Sequence, residues 1–288
     1  MAGRGTRDWD AATYDRVSTP QQDWARPVVE RLPLRGDETV LDAGCGTGRV
    51  TAMLLERLPA GRVIAVDGSA AMVAEARAFL DPERTVVIHS DLAELELDER
   101  VDAVFSNAVF HWVADHRRLF ATLHATLAPG GRLEAQCGGA GNVAGFMAAV
   151  AEVVAERGFD ELAGFDPTHF AAPAETAAIL ESVGFEQVSC ALEPRPIRPP
   201  EPREFVRSVC LGAHLALVPE RRRDELVDAV TERLGPDPVL DYVRLNISAR
   251  RRAAPASFWD RARPRSLRRD PWGRDVDQPP ADSSDLTA

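Results

Sequence analysis

The sequence predicts an α/β protein whose sheet is mostly parallel and doubly wound. Two observations support that fold class. First, short β-prone runs alternate with stretches of helical spacing from residue 39 to residue 136, which indicates successive βαβ units. Second, the first of these runs ends at three alternating glycines that lead into a helical stretch. Strand, glycine turn and helix in this order form the nucleotide site of parallel sheets.

The strand and helix candidates follow from period and turn residues. Strand-like runs occur at residues 39–43, 62–66, 85–89, 101–106, 131–136, 186–192 and 242–249. Helical spacing occurs at residues 25–32, 48–58, 69–80, 113–127, 143–157, 173–183, 203–217 and 219–234. Pro27 is expected in the first turn of the first helix, and Pro129-Gly130-Gly131 is expected to be a turn. Residues 194–202 are proline-rich and are expected to be irregular.

The composition describes a globular chain with an acidic net charge. Of its 288 residues 45% are hydrophobic, enough for a substantial core, and the net charge is −11. That charge argues against broad binding to nucleic acid or to anionic membranes. Every basic residue is arginine. An anionic substrate group would therefore be held by Arg, His, backbone N–H or polar side chains, and a Schiff-base lysine is excluded.

The four cysteines, Cys45, Cys137, Cys190 and Cys210, are widely spaced in the sequence. This spacing fits reduced intracellular thiols better than a disulfide framework or a zinc site. The N-terminus has no apolar signal-peptide region, and no apolar run approaches ~18 residues. We therefore expect a cytoplasmic protein without a membrane segment.

The glycine turn, Gly44-Cys45-Gly46-Thr47-Gly48, follows Asp42 at the end of the first strand. Glycines let a ligand lie against bare backbone, and the helix start leaves N–H groups free. The spacing is G-x-G-x-G, whereas dinucleotide sites have G-x-G-x-x-G around a pyrophosphate. An anionic Asp42 suits a ligand with a cationic or amino-acid part. A nicotinamide-dependent oxidoreductase, and a turn that binds nothing, remain alternatives on this motif alone.

Acidic residues also close the second and third strands. Asp67-Gly68 lies about twenty residues beyond the turn, where a carboxylate accepts hydrogen bonds from ribose hydroxyls. Alternatively, Asp67 caps the helix that starts near Ser69. Asp91-Leu92 is placed to bind adenine, with the Asp91 carboxylate accepting from the amino group and the Leu92 N–H offered to a ring nitrogen. An exposed loop carboxylate is the alternative for Asp91.

The fourth strand ends in a different set of side chains. Ser106-Asn107 is followed by aromatic and imidazole groups up to His111-Trp112. At the carboxyl edge of a doubly wound sheet, this segment adjoins the switch point where ligands bind. We therefore expect the chemistry of the protein to take place here.

Together these motifs resemble those of class I S-adenosylmethionine-dependent methyltransferases. The matching features are the acidic residue with G-x-G-x-G at 42–48, D-x-S-x-x-M from Asp67 to Met72, the step at 90–92, the switch-point segment and L-x-P-G-G-x-L at 127–133. The resemblance covers about residues 36–137. It implies a Rossmann-like sheet of seven strands with the last strand antiparallel, helices on both faces, an N-terminal helical cover and a helical insertion before the last strand.

The resemblance also implies S-adenosyl-L-methionine as the cofactor. The residues that would bind it are Asp42, the glycine turn, Asp67, Gly68, Met72, Asp91, Leu92 and Asn107. Tyr14 and Arg26 are expected to close over the methionine end, where Arg26 suits its carboxylate. Met72 taken alone is equally a core residue.

A nearer resemblance is to the trans-aconitate 2-methyltransferase group. The segment from Asn107 to His116 looks like its N-A-x-x-x-W-x-x-D-H pattern, and Arg26-Pro27 and residues 133–136 also match. After Gln136 the chain reads C-G-G-A-G-N, whereas that group usually has M-P-D-N. The departure leaves the methyl acceptor open.

Methyl transfer from a sulfonium is an in-line displacement, so an enzyme mainly supplies alignment and desolvation. His111 is the candidate general base, with a hydrogen bond to the acceptor or a purely structural place as alternatives. Trp112 would shape the transfer pocket or belong to the core. Gln136 and Asn142 are expected to contact the acceptor. A carboxylate acceptor would need no base.

The chain is expected to divide into four segments. These are an N-terminal helical cover (1–35), a cofactor-binding core (36–137), a segment that completes the sheet and the substrate cover (138–250), and a disordered tail (251–288). The predicted activity is methyl transfer to a small-molecule acceptor, with an organic acid carboxylate as one candidate. The expected protein is a monomer that binds neither nucleic acid nor membrane. A nicotinamide oxidoreductase and a catalytically silent cofactor-binding protein are the alternatives.

Overall fold

A seven-stranded mixed sheet forms the centre of the fold within residues 19–253, the part of the chain that the computed structural model describes. The strands are β1 (Thr39–Ala43), β2 (Arg62–Asp67), β3 (Thr85–His89), β4 (Val101–Asn107), β5 (Leu127–Gly138), β6 (Phe185–Pro194) and β7 (Val243–Arg251). Their order across the sheet is β3-β2-β1-β4-β5-β7-β6. Strands β1 to β5 are parallel, and β7 lies antiparallel between β5 and β6.

Strand β1 is central because its side chains are apolar on both faces. Val40 and Leu41 are fully buried, and they pack into clusters on opposite sides of the sheet. Parallel strands are normally covered on both faces, so such a run favours a central position. The predicted fold class is confirmed, including the seven strands and the antiparallel last strand.

Seven longer helices accompany the sheet in the described part of the chain. They are α1 (Thr19–Arg31), α2 (Arg49–Glu56), α3 (Ala70–Phe79), α4 (His116–Thr126), α5 (Ala144–Arg157), α6 (Pro173–Ser182) and α7 (Glu220–Leu234). Helices α1, α2 and α3 pack on one face of the sheet, and α4 and α6 pack on the other. Helices α5 and α7 form a separate apolar cluster with residues 202–218. Trp24 of α1 joins that cluster at its rim, with its ring 5.1 Å from the ring of Tyr242.

Two helix predictions are wrong in detail. Helix α1 begins at Thr19, so Pro27 lies inside the helix; Pro20 occupies the first turn instead. Residues 203–217 do not form one helix. They form a turn at Pro202–Phe205, a wider turn at Val206–Cys210 and a last turn at Gly212–Leu215. The amide of Leu211 bonds to the carbonyl of Val206, five residues back, and Gly212 has a low helix propensity.

Two loop predictions also differ from the structure. The expected turn at Pro129-Gly130-Gly131 lies inside β5, where it forms an irregularity in the pairing with β4. The proline-rich stretch begins as the end of β6, and Ile197 then forms an antiparallel bridge with Leu240. Residues 128–131 have no partner in β4, so the chain bulges there without ending the strand. At the proline-rich stretch, pairing with residues 240–243 continues as far as Ile197.

No helix among residues 19–253 is long and apolar enough to cross a membrane. Arg251, the first residue of the predicted disordered tail, instead ends β7 and pairs with Phe185. Residues 254–288 of that tail, with Trp259 and Trp272, lie outside the described residues.

Candidate active site

The glycine turn is tied to the end of β2 by backbone hydrogen bonds. The amides of Gly44 and Cys45 donate to the carbonyl of Val66 over 2.8 and 3.0 Å. The amide of Gly46 donates to Asp67 Oδ2 over 2.9 Å. Gly44 has a φ of 91°, and a Cβ there would lie 2.1 Å from Val109 Cγ2. Gly44 is therefore required both by its backbone conformation and by close packing.

Asp42 lies beneath the turn and does not face an open surface. Its side chain is 1% exposed, and its Oδ2 accepts a 2.6 Å hydrogen bond from the Thr51 hydroxyl. Burial raises the pKa of Asp42 to about 7, the Thr51 hydrogen bond opposes this rise, and the nearby Asp67 adds to it. The carboxyl group is therefore only partly ionised at neutral pH, in contrast to the anion expected from the sequence.

Asp67 holds the backbone at the ends of two elements. Besides Gly46, it accepts at Oδ1 from the amide of Ser69 over 2.9 Å. The cap of α3 is Ser69 itself, whose hydroxyl accepts from the Met72 amide. Burial raises the pKa of Asp67. Met72 is 4% exposed. Each Asp67 oxygen has a second lone pair, so the structural role leaves capacity for ribose hydroxyls.

The end of β3 lies beside Asp67. The amide of Ser90 donates to the Asp67 carbonyl over 3.1 Å. Asp91 is exposed, and its Oδ1 accepts from the Ala93 amide, whereas Leu92 is buried in the core. The end of β3 thus offers a solvent-accessible carboxylate one residue from the Ser90 amide that contacts Asp67. His89 also contacts this area, with Nε2 3.0 Å from the carbonyl of Gly68.

The segment after β4 connects the glycine turn to β5. Asn107 is level with Gln136 in the β4–β5 register, and the Ala108 amide donates to the Gln136 carbonyl over 2.7 Å. Ala108 has a φ of 61°, which a residue with a Cβ adopts only at a cost. This strained turn directs Val109 against Gly44 and places His111 at the strand edge.

His111 is buried and neutral. Its Nδ1 accepts a 3.2 Å hydrogen bond from the amide of Gly138. Burial lowers its pKa far below the usual value, and the charge of Arg244 and the ring of His116 lower it further. Because a backbone amide can only donate, Nδ1 carries no proton and Nε2 carries it. The geometry therefore favours His111 as a hydrogen-bond donor over His111 as a base.

Aromatic rings surround the His111 imidazole. The ring of Trp112 lies 5.0 Å away at a tilt, and the ring of Phe170 is stacked at 5.7 Å. The His111 carbonyl accepts from the amide of His169 over 2.8 Å. The loop before α6 therefore packs over the imidazole and keeps its orientation.

The start of β7, which runs antiparallel to β5, brings a buried cation to this edge of the sheet. Arg244 is 3% exposed, its Nε donates to Gln136 Oε1 over 3.3 Å, and its guanidinium lies 5.2 Å from the centre of the Trp24 ring. Its positive charge contributes to the lowered pKa of His111 and also acts to lower that of the Cys137 thiol, which burial raises. Arg244 thus places a buried positive charge at this edge of a chain that is acidic overall.

Asn142 orders the loop that follows β5. Its Oδ1 accepts from the amide of Val243, and its Nδ2 lies against Gly138. Val143 next to it has a φ of 48°, an uncommon conformation for a β-branched residue. Two residues with a strained backbone, Ala108 and Val143, thus flank the strand edge that carries His111 and Arg244.

The structure brings most of the predicted site residues to one edge of the sheet. The turn, Asp67 and Asp91 lie at the ends of β1, β2 and β3, and Asn107, His111, Gln136 and Asn142 lie at or after the ends of β4 and β5. Thr47 and Trp112 are half-buried, and Arg26 is exposed on α1. Tyr14 lies outside the described residues.

Sequence reasoning missed Arg244, Trp24 and Phe170 as site residues. Arg244 is 108 residues from Gln136 in the chain, and no local motif connects them. The alternation of β7 was the available signal, because it places Arg244 and Asn246 on the same face of the strand. Within residues 19–253, no group of three or more His, Cys, Asp or Glu side chains could hold a metal ion.

Residues 40–131 match the family model described as Methyltransferase domain. Together with the sheet order, this match confirms the prediction of a methyltransferase domain with the class I fold. Two curated relatives share one name with each other. Trans-aconitate 2-methyltransferase of Escherichia coli is 39% identical over 132 residues, and that of Variovorax paradoxus is 38% identical over 130 residues. The matches cover 45% of this chain and 50% or 49% of each relative, so the similarity extends over about half the length of the curated relatives.

Solved structures share the fold at lower identity. The YcgJ protein of Bacillus subtilis superposes with a TM-score of 0.59 at 15% identity, over 81% of this chain and 100% of that one. Phosphoethanolamine N-methyltransferase 2 of Haemonchus contortus, solved with S-adenosyl-L-methionine, gives a TM-score of 0.57 at 18% identity. That match covers 85% of this chain and 57% of the other.

The close approach at Gly44 predicts an unequal effect of two alanine substitutions. Gly44→Ala should lower the free energy of unfolding by about 2–4 kcal/mol, because the methyl group overlaps Val109 and the residue keeps a positive φ. Gly46→Ala meets nothing within 4 Å and should cost only ~1 kcal/mol. Urea unfolding without added ligand measures both. Equal losses would contradict the packing argument.

Asp42 should make the folded chain less stable as the pH rises. Its pKa is about 7 in the folded chain against the ordinary 3.8, so between these values the folded chain binds more protons than the unfolded chain. The free energy of unfolding therefore falls with rising pH across this window, by on the order of 4 kcal/mol in total. Asp67 adds a change of the same sign.

Urea unfolding from about pH 5 to 7.5 tests this sign. Asp42→Asn cannot ionise yet keeps an acceptor for the Thr51 hydroxyl, so its stability should depend less on pH than that of the wild type. Parallel profiles for the two proteins would refute the assignment to Asp42.

Proposed function

We propose that this protein transfers the methyl group of S-adenosyl-L-methionine to a small anionic acceptor, of which an organic acid carboxylate is the leading candidate. One observation carries the proposal: the buried guanidinium of Arg244 lies beside neutral His111, in a strand edge that contacts the glycine turn. The shared name of the curated relatives supports a carboxylate acceptor. The departure after Gln136 leaves the particular acid open.

The residues at the first three strand ends fit the cofactor. Open space above the Gly46 Cα admits a ligand against the turn. Asp67 accepts ribose hydroxyls with the lone pairs that Gly46 and Ser69 do not use. Asp91 accepts the adenine amino group, and Met72 lines the adenine pocket. Asn107 contacts the methionine half, and Arg26 and Tyr14 close over its carboxylate.

The residues of the β4, β5 and β7 edge hold the acceptor. Arg244 and the Nε2–H of His111 are both donors, so together they orient an anionic oxygen without removing a proton from it. A carboxylate is already nucleophilic, and these residues therefore contribute alignment, while Trp112 and Phe170 exclude water. S-adenosyl-L-methionine, when bound, supplies the electrophilic methyl group.

The alternatives make different predictions about ligands. A nicotinamide oxidoreductase would have a G-x-G-x-x-G turn, which this chain lacks, and the methyltransferase domain match disfavours it. A silent cofactor-binding protein would bind the cofactor and transfer nothing. We also propose that the protein is a cytoplasmic monomer. It acts on small molecules, because a net charge of −11 disfavours binding to nucleic acid and to anionic membranes.

Calorimetry with S-adenosylhomocysteine tests the cofactor half. Asp67→Ala is a poor probe, because Asp67 also fixes the Gly46 and Ser69 amides. Asp91→Asn keeps an acceptor for the Ala93 amide and removes the negative charge, so it should weaken binding about tenfold. Asp98→Asn, an exposed change before β4, is the matched control and should have no effect. Absence of binding by the wild type would overturn the proposed function.

Arg244→Met should separate anionic from neutral acceptors. In a screen of small organic acids and neutral phenols with labelled donor, the substitution should lower kcat/KM for the anionic acceptor about 100-fold, because a buried charged hydrogen bond is lost. Affinity for S-adenosylhomocysteine should not change. Arg250→Met removes an exposed arginine from the same strand and serves as the control. Unchanged turnover of acids by Arg244→Met would refute the acceptor assignment.

A further inference from the structure

Four side chains form a continuous hydrogen-bonded row across β6, β7 and β5. Arg244 Nε donates to Gln136 Oε1 over 3.3 Å, and Gln136 Nε2 donates to Asn246 Oδ1 over 2.8 Å. Asn246 Nδ2 then donates to Glu193 Oε2 over 3.1 Å. Gln136 and Asn246 are direct partners across β5 and β7, and Glu193 is the direct partner of Arg244 across β6 and β7.

The row runs from the protein surface to the buried cation. Glu193 is 38% exposed and forms an ion pair with Arg195 at its outer end. Asn246 is half-buried, and Gln136 and Arg244 are each 3% exposed. A change at an exposed position on β6 is therefore linked by hydrogen bonds to the buried Gln136 and Arg244. We call the ends of β4, β5 and β7 that carry His111, Gln136 and Arg244 the acceptor edge.

The two ends of the row dictate the orientation of the amides between them. A guanidinium can only donate and a carboxylate can only accept. The Gln136 amide must therefore turn its oxygen to Arg244, and the Asn246 amide must turn its nitrogen to Glu193. An inverted amide at either position would place two donors or two acceptors together. The hydrogen bonds of all four groups thus have a single consistent direction.

We propose that Asn246 and Glu193 are positioning residues, which fix the amide of Gln136 so that it aims the Arg244 guanidinium at the acceptor anion. This inference rests on the proposed function and deepens it. Both polar ends of the Gln136 side chain are engaged by protein groups. Gln136, expected from the sequence to contact the acceptor, therefore acts on the acceptor through Arg244.

A neutral amide suits this task because it orients the Arg244 guanidinium without adding a further negative charge beside it. A carboxylate at position 136 would accept the same hydrogen bond from Arg244 and would also form an ion pair with it. The acceptor anion would then compete with this added charge. Gln136→Glu, a change of nearly equal size, should therefore weaken binding of an anionic acceptor more than removal of the row's outer end does.

The central experiment is a disruption followed by a rescue. Asn246→Asp still accepts from Gln136, but it places two carboxylates together at the Glu193 end. We expect KM for an anionic acceptor to rise about tenfold, as for the loss of one oriented hydrogen bond, with kcat changed less. Adding E193Q to N246D supplies an amide nitrogen that donates to the new carboxylate and should restore KM. E193Q alone keeps an acceptor oxygen for Asn246 and is measured beside the double variant.

A measurement independent of turnover separates this inference from the proposed function. The Arg244 Nε–H resonance, assigned by its loss in R244M, reports the orientation of the guanidinium in the full-length protein. It should shift and exchange faster with water in N246D and should return in N246D/E193Q. S189A, on the same strand as Glu193, is the control and should leave it unchanged.

Each outcome has a distinct meaning. An unaltered Arg244 resonance in N246D, or no rescue by E193Q, overturns the positioning role whatever the acceptor is. A resonance that responds and is rescued, with an unchanged KM for every acid, overturns the role of Arg244 in acceptor binding and with it the proposed acceptor class. A matched response of resonance and KM supports both.

Discussion

The attachment of the glycine turn to the end of β2 is the constraint on which the site depends. Two successive amides of the turn share the carbonyl of Val66, and the amide of Gly46, the second glycine, donates to the carboxylate of Asp67. These bonds form only because Ala43 is level with Val66 in the parallel pairing of β1 and β2. A slip of one residue would turn every side chain of β1 to the other face. The register of two buried strands therefore determines where the turn lies and which atoms it offers to a ligand.

The opposite half of the edge depends on packing against the same turn. Val109 fits against bare Gly44, and this contact follows a strained Ala108 that is bonded to β5. His111 is in turn oriented by the amide of Gly138, the last residue of β5. The chain thus connects the β1 turn to the acceptor edge through direct contacts. Strain at Ala108 is maintained because several neighbouring contacts determine the path of the backbone.

The sequence predicted the parts of this site that are contained in short segments. The strand ends at Asp42, Asp67 and Asp91 follow from apolar runs that stop at a polar residue, and the α/β fold class follows from the alternation of elements. The antiparallel last strand was expected from the family resemblance. Strand bounds failed where a bulge within a strand has the sequence of a turn, as at Pro129-Gly130-Gly131 in β5. The predicted start of the first helix failed at Pro27. This proline lies inside α1, where the neighbouring residues Val28 and Val29 pack on the sheet.

The acceptor edge was harder to predict because its side chains come from distant segments. Arg244 and Gln136 meet only after β7 has inserted beside β5, and their charges and hydrogen bonds have no signature within one motif. Likewise, the sequence could not show that Asp42 is buried against Thr51 or that both Asp67 oxygens accept backbone amides. Ionisation state depends on burial, and burial depends on the whole fold.

The place of β7 between β5 and β6 has a consequence for the order in which the protein becomes complete during synthesis. In the described sheet β6 has β7 as its single neighbour, although β6 is made first. When the chain has been synthesised as far as residue 194, the strand ends that would hold the nucleoside are already present, and β6 still lacks a partner. The cation of the acceptor edge and the docking of β6 then arrive together with residues 243–251. On the proposed function, the residues for the methyl donor are therefore in place before those for the acceptor.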